Sequence, residues 1–382
     1  MDSVFSPPEL QRYARHFTLP EVGLEGQERL RNGSVLCIGA GGLGSPLALY
    51  LAAAGVGRIG IADPDTVDVS NLQRQILHGE SDLGRLKIDS ARDRLREINP
   101  HVSVDTYAER FDAANARDIA VDYDVLVDGT DNFATRYLSN DVAYFLGKPN
   151  IYGSIFRFEG QVSVFAPHAG GPCYRCLFPE PPAPGQVPSC AEGGVLGVLP
   201  GIIGCLQAAE TIKWILGIGD SLAGRLIHLD TLRMQFREFR LRSDPDCPLC
   251  GRQPSIRDLA DTALHCGVIP PAPAPAEVPE RSPPELAAAL AKGSVLLLDV
   301  REPFERMLSS IPDSMHIPLG DLPARIGEIP KNRCIVVYCR TGIRSASAVR
   351  KLLEAGYPDV SQLQGGMIAW NEHAESPLAR SR

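Results

Sequence analysis

Residues 34–63 read SVLCIGAGGLGSPLALYLAAAGVGRIGIAD, and their pattern decides the fold. Ser34 to Ile38 is a short apolar run of the kind that forms a buried parallel strand. Gly39-Ala40-Gly41-Gly42-Leu43-Gly44 then satisfies G-x-G-x-x-G at a strand-to-helix turn. Pro46 to Ala54 reads as a helix, with proline tolerated in its first turn. A second strand, Ile59 to Ala62, ends on Asp63. This is a βαβ nucleotide-binding unit, in which glycines let the backbone approach phosphate at a helix N-terminus. An acid roughly 20 residues past the turn suits a ribose hydroxyl. The motif says nucleotide without saying which, so the neighbouring residues must decide.

With 382 residues, two domains are the natural expectation. A hydrophobic content of 44% and a mean hydropathy of −0.06 describe a globular protein with ample core material. Apolar runs are broken by glycine or charge well short of a membrane span, so no membrane partner is expected. The opening MDSVFSPPELQRYARH has acids and prolines where a signal peptide would be apolar, and the expected location is cytoplasmic. A net charge of −8 argues against a nucleic-acid partner. Ten cysteines in a reducing compartment point to ligands, nucleophiles or core fillers rather than disulfides.

Pro7 to His16 reads as a short helix carrying Arg12 and Arg15, which composition alone would leave as solvated charge. After the βαβ unit, Asp63, Asp65, Ser70, Asn71, Arg74, Gln75 and Lys87 crowd the loop beside the glycine turn. A nicotinamide ring needs an apolar pocket; this cluster instead suits a triphosphate and a metal. Lys87 opens a helix to Ile98, stopped by Asn99-Pro100. A third parallel strand, Asp124 to Val127, leads into Asp128-Gly129-Thr130-Asp131-Asn132. Ligand groups sit at the carboxyl ends of such strands, so Asp131 is placed to hold Mg²⁺. The alternative is that Asp131 or Asn132 caps the following helix.

From Ile151 to Phe165 the pattern alternates as strands do, with Gly153 and Gly160 read as turns. Two C-x-x-C pairs follow, Cys173 with Cys176 and Cys247 with Cys250, a spacing that signals tetrahedral Zn²⁺ in a closed, structural site. Between them Cys190, in a Pro/Gly-rich loop, is a candidate nucleophile, whereas Cys205 within an apolar helix from about Pro200 to Leu216 reads as core. The Pro-rich stretch 255–283 is the expected linker between a first domain, 1–254, and a second, 284–382. In the second, ELAAALAKGS is a helix, VLLLDVRE a strand, and CIVVYC a buried strand ending at Cys339-Arg340-Thr341-Gly342-Ile343-Arg344. A cysteine there faces backbone N–H donors and a positive helix terminus, and Arg340 and Arg344 should favour its thiolate. Cys334, within the strand, reads as core.

With these residues in view, Pro7 to Gly251 resembles the MoeB/ThiF family, the prokaryotic relatives of ubiquitin-activating enzymes. The resemblance rests on GAGGLG, Asp63 with Asp65, SNLQRQ, Lys87, DGTDN and both cysteine pairs. It implies a Rossmann-like α/β fold with a mostly parallel sheet and a zinc-bound tail. It also implies an enzyme that uses Mg-ATP to adenylate the C-terminal glycine of a small ubiquitin-like sulfur carrier ending in Gly-Gly. By position, Gly41 and Gly42 would line the nucleotide and Asp63 its ribose; Asn71, Arg74 and Lys87 would contact phosphates, and Asp131 would hold the metal. Arg15 matches an arginine that family members insert into the partner subunit's site, which implies a homodimer. Cys190 matches a cysteine used by some members in thioester or disulfide chemistry.

Residues from about Pro284 to Trp370 resemble a rhodanese domain, a smaller α/β unit, through LLLDVREPFE, VVYCRTGIRSASAV and LQGGMIAW. Arg344 lies five positions after Cys339; rhodanese-related phosphatases carry one more residue there, so the shorter loop favours sulfur. One departure stands out: Ser309-Ser310-Ile311-Pro312 replaces the usual G-H-I-P. The combination implies that Cys339, loaded as a persulfide by a cysteine desulfurase or thiosulfate, sulfurates the adenylated carrier to a thiocarboxylate. Rival readings are thioester transfer from Cys190 to another protein, a nicotinamide oxidoreductase with a regulatory rhodanese tail, and a non-catalytic scaffold.

Overall fold

Strand β1, Ser34–Ile38, is buried along its whole length. Val35 and Cys37 belong to one apolar core, Leu36 and Ile38 to another. The side-chain period of two thus feeds both faces of a sheet covered on each side. This computed structural model describes residues 5–182, 194–259 and 278–375. The chain forms two units, 1–270 and 271–382.

In the first unit, β2 (Arg58–Ala62), β3 (Ser103–Tyr107), β4 (Val125–Asp128) and β5 (Asn150–Phe156) run parallel to β1. Three antiparallel strands complete the sheet: β6 (Glu159–Phe165), β7 (Arg225–Asp230) and β8 (Gln235–Arg240). Their order is β3-β2-β1-β4-β5-β6-β7-β8. Winding reverses between β1 and β4, and a crevice opens there at the carboxyl ends of the strands. The fold is the expected mostly parallel α/β sheet.

Four local expectations need correction. Ser103–Tyr107 is a strand the pattern missed: its polar residues suit the sheet's edge, where one flank faces solvent. It makes the strand ending at Asp128 the fourth in the chain. The N-terminal helix divides at Tyr13, into Pro7–Arg12 and Ala14–Phe17, because the Tyr13 ring turns inward and is buried. Gly153 and Gly160 lie inside strands, and the reversal falls at Arg157, with φ 54°. They are small for a packing reason. A Cβ on Gly153 would meet the Gln207 amide at 2.4 Å, and one on Gly160 the Ile203 side chain at 2.5 Å. Both neighbours sit on the helix Val198–Leu216, which lies against the sheet at these points. Cys205 on that helix is half-buried rather than enclosed.

The second unit is a parallel sheet of β9 (Glu280–Arg281), β10 (Val295–Asp299), β11 (Met315–His316), β12 (Cys334–Tyr338) and β13 (Val360–Leu363), in the order β11-β10-β12-β13-β9. Of the linker expected over 255–283, residues 260–277 lie outside the described residues. On one side Ile256 packs with the paired cysteines; on the other, Val278 enters the second unit's core and β9 its sheet. No helix among the described residues is long and apolar enough to cross a membrane.

Candidate active sites

The glycine turn is shaped by what a Cβ would strike. Gly39 has φ +97°, and a Cβ on Gly44 would sit 2.0 Å from the Gly39 carbonyl oxygen. Only glycine lets the helix Gly44–Ala54 start so close to β1. At this end of the sheet lies a cavity of about 630 Å³. It brings together Gly41, Gly42, Asp63, Asn71, Arg74, Asp131 and Asn132 from three connecting loops, and Lys87 from the start of a helix.

Asp63 accepts from the Ala40 N–H at 2.8 Å and the Asp65 N–H at 2.9 Å. Burial pushes its carboxyl up, opposed chiefly by the Lys87 ammonium. Lys87, only 5% exposed, donates to Asp65 at 2.8 Å and lies 4.0 Å from Asp63. It reaches the cavity from the first residue of the helix Lys87–Ile98. The Arg74 guanidinium donates to the Ser70 carbonyl at 3.0 Å while lining the cavity. Ser70 itself is exposed and not among the lining residues; its N–H caps onto Asp68.

The two readings of Asp131 and Asn132 separate cleanly. Asn132 caps the helix Phe133–Leu146, its Oδ1 accepting from the Thr135 N–H at 2.9 Å. Asp131 is exposed toward the cavity, with no hydrogen bond among the described residues. The turn is braced by buried Asp128, whose Oδ1 accepts from the Thr130 N–H at 2.9 Å and hydroxyl at 2.6 Å. Sequence reasoning did not anticipate Arg110 and Phe111, which line the cavity just beyond the overlooked β3. The rule that ligands gather at strand ends would have found them had that strand been seen.

Arg15 is exposed on the helix Ala14–Phe17, and its guanidinium makes no hydrogen bond or ion pair among the described residues. Cys190 lies outside the described residues. Cys173, Cys176, Cys247 and Cys250 converge, all four Sγ atoms lying within 4.8 Å of one another. Four of these distances run from 3.3 to 3.8 Å. Zinc at its usual ~2.3 Å from each sulfur holds them about 3.8 Å apart, so the donor set fits a closed tetrahedral ion. Arg175, between the first two cysteines, is buried and donates to Asp141 through Nε at 2.9 Å and Nη2 at 2.7 Å. The cluster is thereby fastened to the helix that begins beside Asp131.

In the second unit, Cys339 is the first residue past β12 and fully buried. Its sulfur accepts from the Gly342 N–H at 3.1 Å and lies 3.5 Å from Ser345 Oγ. The GGMIAW segment holds the loop from behind: the Met367 N–H donates to the Cys339 carbonyl at 2.8 Å and the Ile368 N–H to the Arg340 carbonyl at 3.2 Å. Arg340 is exposed. Both Nη atoms of Arg344 donate to Glu305 at 2.7 Å, and Cys339 lies within reach of its charge. Glu305, four residues past Arg301, carried no signal in the sequence that it would reach this loop. Cys334 is half-buried and accepts from Arg281 at 3.1 Å. At the departure from G-H-I-P, Ile311 is buried and its N–H donates to the Tyr338 hydroxyl at 3.3 Å.

Burial alone would push the Glu305 carboxyl up, but the paired bonds from Arg344 outweigh it and hold the group low. A carboxyl lowered by folding stabilises the fold above its unfolded value, and that stability drains away as pH falls through the folded one. The second unit should therefore lose stability below about pH 4.5 more steeply than a Glu305→Gln variant. Thermal melts of the full chain from pH 3 to 7 (roughly the carboxylate range) would show the two converging in acid; parallel curves would contradict this.

A glycine turn, a buried lysine and an exposed aspartate around one crevice, with a cradled cysteine in a second unit, define a nucleotide-activating fold joined to a sulfur-handling one. The chain belongs to the ThiF family, matched over residues 13–249, and carries a rhodanese-like domain over 282–373. It is 48% identical over 383 residues to the "Probable adenylyltransferase/sulfurtransferase MoeZ" of Mycobacterium tuberculosis, covering 98% of this chain and 96% of that one. The "Sulfur carrier protein adenylyltransferase" of Thermus thermophilus is 53% identical over 264 residues, 68% of this chain and 97% of its own length. The "Adenylyltransferase and sulfurtransferase MOCS3" of Sus scrofa is 42% identical over 398 residues, with 96% and 87% covered. Among solved structures, Escherichia coli MccB with MccA-N7isoASN superposes with a TM-score of 0.57 at 22% identity, covering 63% of this chain and 75% of that one, a likeness of fold.

Proposed function

We propose that the first unit adenylates the C-terminal glycine of a small ubiquitin-like sulfur carrier, and that Cys339 then delivers sulfur to the activated carbonyl. One observation carries the reading: a cavity that gathers Lys87, Arg74, Asp63 and Asp131 and a loop-cradled cysteine occur in the same chain. Adenylyl transfer and sulfur transfer are also the paired activities in the names of relatives matched over most of their length.

In this reading the carrier's carboxylate attacks the α-phosphorus of ATP and pyrophosphate leaves. Lys87 and Arg74 hold the phosphates and offset the charge that develops on them. Asp63, with two of its lone-pair sites already taken, offers the rest to the ribose hydroxyls. Asp131, a hard oxygen ligand with no competing partner among the described residues, would hold Mg²⁺, which when bound neutralises phosphate charge. Arg15 would complete the site from a second subunit, and the cysteine cluster would keep Zn²⁺ in a structural role.

For sulfur transfer, Cys339 takes a sulfane atom from a cysteine desulfurase or thiosulfate. The terminal sulfur of this persulfide attacks the acyl-adenylate carbonyl, the C–O bond to AMP breaks, and an acyl disulfide joins carrier to Cys339. A thiol, for which Cys190 is the candidate, attacks Cys339 Sγ. The carrier thiocarboxylate leaves, and the resulting disulfide is reset by a cellular dithiol. The test is exchange of labelled pyrophosphate into ATP with a Gly-Gly-ending carrier. Asp131→Ala should lower exchange at least about a hundredfold, while Cys339→Ala keeps exchange and loses thiocarboxylate. Exchange lost in both variants, or present without carrier, would refute the division of labour.

A further inference from the structure

His78 belongs to none of the motifs above, yet it grips the glycine turn. It is buried, with Nε2 3.1 Å from the Ala40 carbonyl oxygen and Nδ1 2.8 Å from Ser90 Oγ. A carbonyl oxygen only accepts, so Nε2 carries a proton toward Ala40, while Nδ1 pairs with Ser90 Oγ, which also bonds Asp82. Burial pushes the ring's pKa down, with the Lys87 charge adding to it, against the Ala40 hydrogen bond and the Asp82 and Asp63 charges.

A trans peptide sets its C=O and the next N–H on opposite sides of the C–N bond. Drawing the Ala40 oxygen toward His78 therefore turns the Gly41 N–H the other way. Gly41 lines the cavity, and its N–H meets no protein acceptor among the described residues. The preceding peptide is fixed as well, since the Ala40 N–H donates to Asp63 at 2.8 Å. Ser90 lies on the helix that Lys87 opens, so the turn and the lysine are held in one frame.

We propose that His78 is a positioning residue: it aims the Gly41 N–H into the cavity as a donor to a phosphate oxygen of the bound nucleotide. The proposal rests on the nucleotide-binding reading of this cavity and is independent of carrier and sulfur. A backbone donor to a charged oxygen is worth enough that losing its aim should weaken binding about tenfold.

The test is calorimetric titration of the full chain with ATP and, separately, adenosine, with no carrier present. His78→Leu should weaken ATP about tenfold and leave adenosine within about twofold, since only the triphosphate meets this donor. His78→Gln, whose amide nitrogen can stand in for Nε2, should recover most of the loss. Equal losses for both ligands would mark a merely structural role and overturn the proposal, as would unchanged ATP affinity in His78→Leu. Should that variant not fold, Ser90→Ala, which frees the ring on one side, should weaken ATP about threefold; no change there overturns it too. Failure of the unaltered chain to bind ATP would instead bring down the nucleotide reading and this proposal with it.

Discussion

Lys87→Ala is expected to lower carrier-dependent pyrophosphate exchange by about three orders of magnitude. The side chain is buried beside two carboxylates, 2.8 Å from Asp65 and 4.0 Å from Asp63. Its removal acts twice. The cavity loses the enclosed ammonium that, in the proposed function, would face the phosphates, and in a low-dielectric pocket that charge is worth far more than at a surface. Asp63, already raised by burial, loses its chief opposing influence and shifts further toward the protonated form, weakening its hold on Ala40, Asp65 and the ribose. Arginine should restore little, because a planar guanidinium does not fit a slot built around a compact ammonium. The measurement is isotope exchange at saturating ATP, with thermal melts to confirm folding. A folded Lys87→Ala protein retaining more than about a tenth of the exchange would contradict this role.

Stripping zinc should have the second large effect. Purified protein is expected to hold the metal in stoichiometric amount, and removing it under reducing conditions should lower the first unit's melting temperature by about 10 °C or more. Structural zinc contributes several kcal/mol even where the rest of a fold is robust. Without it four thiolates crowded to 3.3–3.8 Å repel one another or must protonate. The loss should spread, because the Arg175–Asp141 pair links the cluster to the helix Phe133–Leu146. Asp131 sits at that helix's start, so ATP affinity should fall alongside stability. Cys247→Ser should reproduce both effects. Absence of zinc by elemental analysis, or a melt indifferent to chelator, would remove the metal from this account.

Lys87, Arg74, Asp65 and Asp131 give the cavity charges that suit polyphosphate, beside apolar side chains of Ile38, Leu43, Phe111 and Ile155 against which a flat base can pack.

Much was legible because it is local. β1 and the helix Lys87–Ile98 fall where the apolar run and the Asn99-Pro100 stop put them. The C-x-x-C spacing announced a four-thiol cluster because two residues between cysteines are enough to bring both sulfurs to one point. The glycine turn was readable for a similar reason: the contact that forbids a Cβ at Gly44 is made to Gly39, five residues away.

Where the reading failed, the cause was a partner distant in sequence. Gly153 and Gly160 looked like turns until Gln207 and Ile203 arrived against them. Glu305 carried no mark of its ion pair with Arg344 beside the cysteine loop. His78 carried no mark of its bond to Ala40, nor Arg175 of its bond to Asp141. Sequence by itself determined the element types, the chemistry available and the class of fold, since these follow from short-range periodicity and spacing. Tertiary structure alone decided which polar groups are already spent on one another and which still face the cavity. Hydrogen bonds are short-ranged and directional, so their pairing exists only once the chain has folded.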